Sequence, residues 1–126
     1  MAIIGIGIDI TVIPRIGETI ERYGARFLNR VFHPSEIAFS EKRKKNTEFL
    51  AGCFAVKEAA LKALGDFPGK GLAWSDIYIS HEPTGKPVLH FENRALDLYN
   101  QKGVVNSFVS ISHDGDNAIA YVILEK

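Results

Sequence analysis

The sequence predicts an α+β fold: one domain over residues 1–126, with early helices packed on a mainly antiparallel sheet. Three observations lead there. Helical spacing of apolar residues dominates up to residue 64, period-two and β-branched runs dominate after residue 74, and 126 residues suffice for one core without dividing comfortably into two.

The opening run MAIIGIGIDITVI reads as a strand over residues 3–12. Gly5-x-Gly7 invites comparison with a dinucleotide fingerprint, but Ile10 stands where the third glycine is required and β-branched residues follow. With period two, Ile4, Ile6, Ile8, Ile10 and Val12 share one face, expected to be core, and Gly5, Gly7, Asp9 and Thr11 share the other. That second face is nearly bare beside a carboxylate, as a strand needs when a helix, a backbone or a ligand must come close.

Pro14 opens a helix whose apolar face is Ile13, Ile16, Ile20, Tyr23 and Phe27, with Gly24 a possible break. His33-Pro34-Ser35-Glu36 marks the entry to a short second helix. After the charged residues 41–45, Asn46 or Thr47 caps a long helix to Leu64, and Gly65 suits its end. Residues 74–80 and 88–91 read as strands around the turn Glu82-Pro83-Thr84-Gly85, and 93–102 as a helix ended by Gly103. Residues 104–112 and 118–124 form a closing antiparallel pair joined by 113–117.

On the long helix, Leu50, Phe54, Leu61 and Leu64 make a buried stripe with Glu58 half-buried at its edge. Lys62 lies one turn beyond, and Ala51, Ala55 and Ala59 leave that flank open to close approach. As an isolated feature, Glu58 and Lys62 are an ordinary i,i+4 surface pair. Together with Asp9 on its bare strand, Glu58 offers the hard oxygen donors of one Mg²⁺, which typically takes one or two carboxylates and keeps positions for water and phosphate. Lys57 projects into the apolar stripe and reads as a snorkelling structural residue.

Composition narrows the class of partner. Fifteen residues of each sign cancel, so no global field steers the chain toward nucleic acid or a membrane. The single cysteine, Cys53, excludes an internal disulfide; with no spanning apolar stretch and no secretory pattern, a soluble cytoplasmic protein is expected.

The stretches GIGIDI, FAVKEAALKAL, GLAWSDI, GKP and SISHD occur in the order and spacing of the holo-acyl-carrier-protein synthases, the small bacterial 4'-phosphopantetheinyl transferases, and the chain resembles that family over almost its whole length. The resemblance implies a phosphopantetheinyl transferase-like fold and transfer of the 4'-phosphopantetheine arm of coenzyme A to a serine of apo acyl carrier protein. Adenosine 3',5'-bisphosphate is released, with Mg²⁺ required, in fatty acid biosynthesis. It implies Asp9 and Glu58 as metal ligands, Glu58 and Lys62 as catalytic groups, and Lys62, Gly85, Lys86, Pro87, Ser112 and His113 along coenzyme A. Glu58 or a metal-bound water takes the serine proton, a choice the sequence leaves open. Arg15, Arg22 and Arg26 fall in one arc of the first helix if it continues past Gly24, and the resemblance implies that they dock the acidic carrier protein. It also implies a homotrimer with active sites between subunits.

Read without the family, Gly85-Lys86-Pro87 is a surface turn, Ser110, Ser112 and His113 are polar residues at a strand end, and Lys42, Arg43, Lys44 and Lys45 are a solvated face; the same basic loop suits a 3'-phosphate. Three positions depart from the family pattern: Cys53 where arginine is common, Leu64-Gly65-Asp66-Phe67-Pro68-Gly69 at the helix exit, and Asn117 where an aromatic is usual. Two rival readings are a noncatalytic nucleotide- or phosphate-binding module, against which Asp9, Glu58 and Lys62 speak, and a structural oligomer subunit, which leaves Glu58 without a purpose.

Overall fold

The computed structural model describes residues 2–65 and 71–126. The elements in chain order are β1 (Ile3–Val12), α1 (Ile13–Tyr23), α2 (Ala25–Val31), α3 (Pro34–Glu41), α4 (Asn46–Leu64), a 3₁₀ turn (Trp74–Asp76), β2 (Ile77–His81), β3 (Pro87–Phe91), α5 (Asn93–Gln101), β4 (Asn106–Asp114) and β5 (Asn117–Glu125). β1, β5 and β4 form an antiparallel sheet with β5 central, and β2 pairs antiparallel with β3 as a separate ribbon. Helix α4 packs on β1 and β5 and carries much of the core, including Leu50, Val56, Leu61 and Leu64 against Ala118, Ala120, Val122 and Leu124 of β5.

The bare face of β1 is the one that meets α4. A Cβ added to Gly5 would fall 1.9 Å from the Ala63 carbonyl oxygen, and one on Gly7 would fall 1.8 Å from that of Ala59. The isoleucine face expected to be core is therefore the outer face: Ile6 is 57 %, Ile8 54 % and Ile10 62 % exposed. Small residues on strand and helix bring the two backbones together, which fixes the sheet's inner side and turns the larger side chains outward.

The possible break at Gly24 is real, and two further expectations are corrected. Helix α1 stops at Tyr23, because Gly24 takes a positive φ of 56°, and Arg26 belongs to α2. Residues 74–76 are a 3₁₀ turn rather than the start of a strand, held by the Asp76 N–H on the Ala73 carbonyl at 3.1 Å. Strand β4 runs through His113 to Asp114, leaving Gly115-Asp116 as a two-residue turn in which Gly115 holds φ 58°. Gly65 ends α4 in the left-handed region, as expected; Asp66, Phe67, Pro68 and Gly69 lie outside the described residues.

Lys57 does not snorkel. Its side chain has 0 % exposure and is paired with the equally enclosed Glu36 at 2.7 Å. Glu36 is also the third residue of α3, where it closes a capping box with His33. Cys53 packs beside this pair, and burial, reinforced by the Glu36 charge, pushes its thiol pKa up.

Candidate active site

The contact of Gly5 with Ala63 and of Gly7 with Ala59 carries the next inward residue of β1, Asp9, one step further toward the N-terminus of α4. Lys62 Nζ donates to Asp9 Oδ1 at 3.3 Å and to the Ile8 carbonyl at 2.9 Å, and Thr11 Oγ1 donates to Asp9 Oδ2 at 3.0 Å. Glu58 lies one turn before Lys62 on the same flank and is half-buried. Its pKa is raised, first by burial and then by the Asp9 charge, with Lys62 opposing. Asp9, Glu58 and Lys62 therefore meet at one place.

The donor chemistry of this place suits a hard cation. Two carboxylates repel each other there, and among the described residues none donates a hydrogen bond to Glu58. Among the described residues no group of three or more His, Cys, Asp or Glu gathers to enclose a metal. A set of two carboxylates leaves coordination positions for water and phosphate oxygens, the arrangement Mg²⁺ favours.

The proposed coenzyme A residues do not all share one surface. Gly85, Pro87 and His113 line a cleft of about 260 Å³ whose other walls are Arg43, Lys45, Glu48, Phe49, Gly52, Ile79, His81 and Ile111. Gly85 adopts φ 92°, and its N–H donates to the Glu82 carbonyl at 2.8 Å, closing the turn that presents Pro87 to the cleft. His113 Nε2 donates to the Glu48 carbonyl at 3.2 Å, tying β4 to the first turn of α4. Lys86 instead lines a neighbouring groove with Glu82 and Phe108, and Ser112, one residue from His113, points to the outer sheet face with Ile8 and Tyr121. Lys62 is with Asp9. Gly52 and Glu58 are six residues apart on α4, about 9 Å of helix rise, so cleft and carboxylate pair are neighbours along one helix.

Phe39, Phe49 and His81 were not singled out by the sequence. The rings of Phe39 and His81 stack at 5.0 Å, Phe39 and Phe49 meet at 4.9 Å, and the Arg43 guanidinium lies over both phenyl rings at 5.2 and 5.4 Å. They join α3, α4 and β2 at the cleft wall, a long-range meeting that no local pattern reports. Burial, with Arg43 beside it, lowers the His81 pKa. Cys53 faces the interior pair and leaves Arg43 and Lys45 as the cationic lining of the cleft. Asn117 pairs with Asp114 and Val12 at the β5 start, exposed and outside the cleft lining.

Arg15, Arg22 and Arg26 are all exposed, but the break at Gly24 divides them between two helices. Arg26 joins Arg30, Thr19, Tyr23 and Phe27 around a hollow of about 310 Å³, and Arg22 lines an adjoining one with Glu18. Arg30 was missed because the arc of a continuous helix does not contain it.

The profile of the 4'-phosphopantetheinyl transferase superfamily matches residues 5–122. Over 123 residues the chain is 40 % identical to a holo-[acyl-carrier-protein] synthase of Koribacter versatilis, covering 98 % of each chain. The crystal structure of the holo-[acyl-carrier-protein] synthase from Neisseria meningitidis superposes with a TM-score of 0.91 at 30 % identity, over 99 % of this chain and 100 % of that one. The Helicobacter pylori enzyme in complex with coenzyme A superposes at 0.81 with 36 % identity, over 95 % and 99 %. With its fold, its length and its ordered motifs all matched, the chain belongs to the holo-acyl-carrier-protein synthases, enzymes of the 4'-phosphopantetheinyl transferase superfamily.

Proposed function

We propose that this chain, acting as one phosphopantetheinyl transferase domain over residues 1–126, moves the 4'-phosphopantetheine arm of coenzyme A onto a serine of apo acyl carrier protein in fatty acid biosynthesis. The observation that carries this is the meeting of Asp9, Glu58 and Lys62 where a bare strand face packs on a helix. Coenzyme A in the Helicobacter pylori relative supports the nucleotide end of the reading, with the cleft of Arg43, Lys45, Gly85, Pro87 and His113 as its place here. Lys86 and Ser112 approach the ligand only from neighbouring surfaces, Ser112 from a face that a second subunit would cover.

In the reaction the serine oxygen attacks the β-phosphorus of the coenzyme A diphosphate. The bond from that phosphorus to the bridging oxygen breaks, and adenosine 3',5'-bisphosphate leaves with the electron pair. Glu58, half-buried on the flank of α4 that faces Asp9, is the side chain proposed to accept the serine proton. Lys62, held by Asp9 and the Ile8 carbonyl, keeps its ammonium on the diphosphate side, where it offsets developing charge or protonates the leaving oxygen. Asp9 and Glu58 would hold Mg²⁺, which when bound neutralises charge on the diphosphate oxygens.

The reading extends to assembly and location. Ile6, Ile8 and Ile10, with Phe108 at 52 % and Tyr121 at 42 % exposure, form a continuous apolar outer face larger than scattered surface residues explain. A homotrimer burying this face accounts for it. Among the described residues no helix is long and apolar enough to cross a membrane, and the account places the protein in the cytoplasm with its substrates.

The testing experiment incubates purified apo carrier protein with the chain, coenzyme A and Mg²⁺ and reads the carrier by intact mass. A gain of one phosphopantetheine arm, with adenosine 3',5'-bisphosphate released, is expected; an unmodified carrier rejects the reading.

A further inference from the structure

Strand β2 has a partner strand, β3, on one side only among the described residues. On its other edge two backbone groups meet charged side chains instead of a strand. The Ile77 carbonyl accepts from Lys57 Nζ, and the Ile79 N–H donates to Glu36 Oε2 at 3.2 Å. The two side chains close on each other through Lys57 Nζ and Glu36 Oε1 at 2.7 Å, and Glu36 Oε1 also accepts from the His33 N–H at 3.0 Å. Lys57 Nζ lies 5.7 Å from the Phe32 ring centroid, and among the described residues no buried side-chain polar atom lacks a partner.

We propose that the Glu36–Lys57 pair is a positioning device for the coenzyme A cleft. The pair supplies one donor and one acceptor to residues i and i+2 of a strand edge, the pairing a neighbouring strand would give. A displacement of β2 away from this edge would strip two desolvated charges of their backbone partners. The edge of β2 is thus pinned to α3 and α4 from the side opposite the ribbon. The consequence reaches the cleft, because β2 carries Ile79 and His81 into its wall and leads through the turn to Gly85 and Pro87. The facing wall is Glu48, Phe49 and Gly52 on α4, the helix that bears Lys57. Net stability does not account for such a pair, since apolar residues of similar volume often serve a core equally well.

This inference rests on reading that cleft as the coenzyme A site, and the test separates the two. Coenzyme A binding by calorimetry, with no carrier protein present, is measured for wild type, Glu36→Gln and Lys57→Met, with steady-state kinetics alongside. Leu98→Ala, in the core under α5 and away from the cleft, is the control for lost stability. The variants are expected to bind coenzyme A about tenfold more weakly and to show a matching rise in its KM, with kcat changed less than about threefold and KM for the carrier protein unmoved. Leu98→Ala is expected to lower Tm and leave the affinity alone. Should a single variant fail to fold, Glu36→Gln/Lys57→Met, which leaves no buried charge, is measured in the same way against the same expectation. Folded variants with lowered Tm and wild-type affinity would overturn the inference and leave the cleft reading intact. A wild-type protein that does not bind coenzyme A would overturn the cleft reading and the inference with it.

Discussion

Gly7 of β1 and Ala59 of α4 are in backbone contact: a Cβ on the glycine would lie 1.8 Å from the alanine carbonyl oxygen. That approach brings Asp9 to the flank of Glu58 and Lys62. Gly7→Ala must push strand from helix, because backbone cannot yield as a flexible side chain does. A loss of about 3 kcal/mol is expected by denaturant unfolding, together with a fall in kcat. At Gly52 the nearest atom is His113 Nε2 at 3.3 Å, a side chain that can move. Gly52→Ala should therefore cost much less stability and act on coenzyme A binding.

A metal should reverse an electrostatic cost at Glu58. Its folded pKa is raised, so its contribution to stability is present at acid pH, below the ordinary carboxylate range, and is lost as pH rises through the folded value. At neutral pH without a divalent cation, Glu58→Gln is therefore expected to leave Tm unchanged or higher. Mg²⁺ should raise the Tm of wild type and not that of the variant. Equal Mg²⁺ stabilisation of both proteins by scanning calorimetry would remove Glu58 from the ligand set.

His81 titrates in the opposite sense. Burial and Arg43 lower its folded pKa, so the stability it contributes is present above the ordinary histidine value and is lost as pH falls through the folded one. His81→Phe keeps a ring against Phe39 and removes the proton site. Its Tm is expected to fall less than that of wild type between about pH 7 and pH 5. Parallel curves for the two proteins would contradict this.

The basic surface of α1 and α2 faces solvent as two neighbouring hollows rather than one ridge. Arg15→Glu, Arg22→Glu and Arg26→Glu are expected to raise KM for the carrier protein and leave that for coenzyme A unchanged. Wild-type turnover should fall as salt rises. Normal carrier KM values at low salt would move the docking surface elsewhere.

The readable parts of this fold are those whose signals are local. Period-two patterning, the cap glycines Gly65 and Gly103, and the proline at the start of α1 place most elements to within a few residues. Asp9 and Glu58 were legible as a pair because both faces are stripped of bulk. That same stripping misassigned β1: the isoleucines look like core to any hydrophobic pattern, yet the glycines allow the helix to take the other side. Glu36 and Lys57 lie 21 residues apart and on different helices, so neither residue announces its partner. The division between His113 and Ser112 became visible only when β4 proved to run through both.

The most direct test of the account is the intact mass of apo carrier protein after incubation with coenzyme A and Mg²⁺, compared between wild type, Asp9→Ala and Glu58→Ala. Neither substitution touches the apolar core, so all three should fold, with only wild type adding the phosphopantetheine arm and both variants slowed by at least about a hundredfold. Folded Asp9→Ala or Glu58→Ala protein that loads the carrier at the wild-type rate would contradict it.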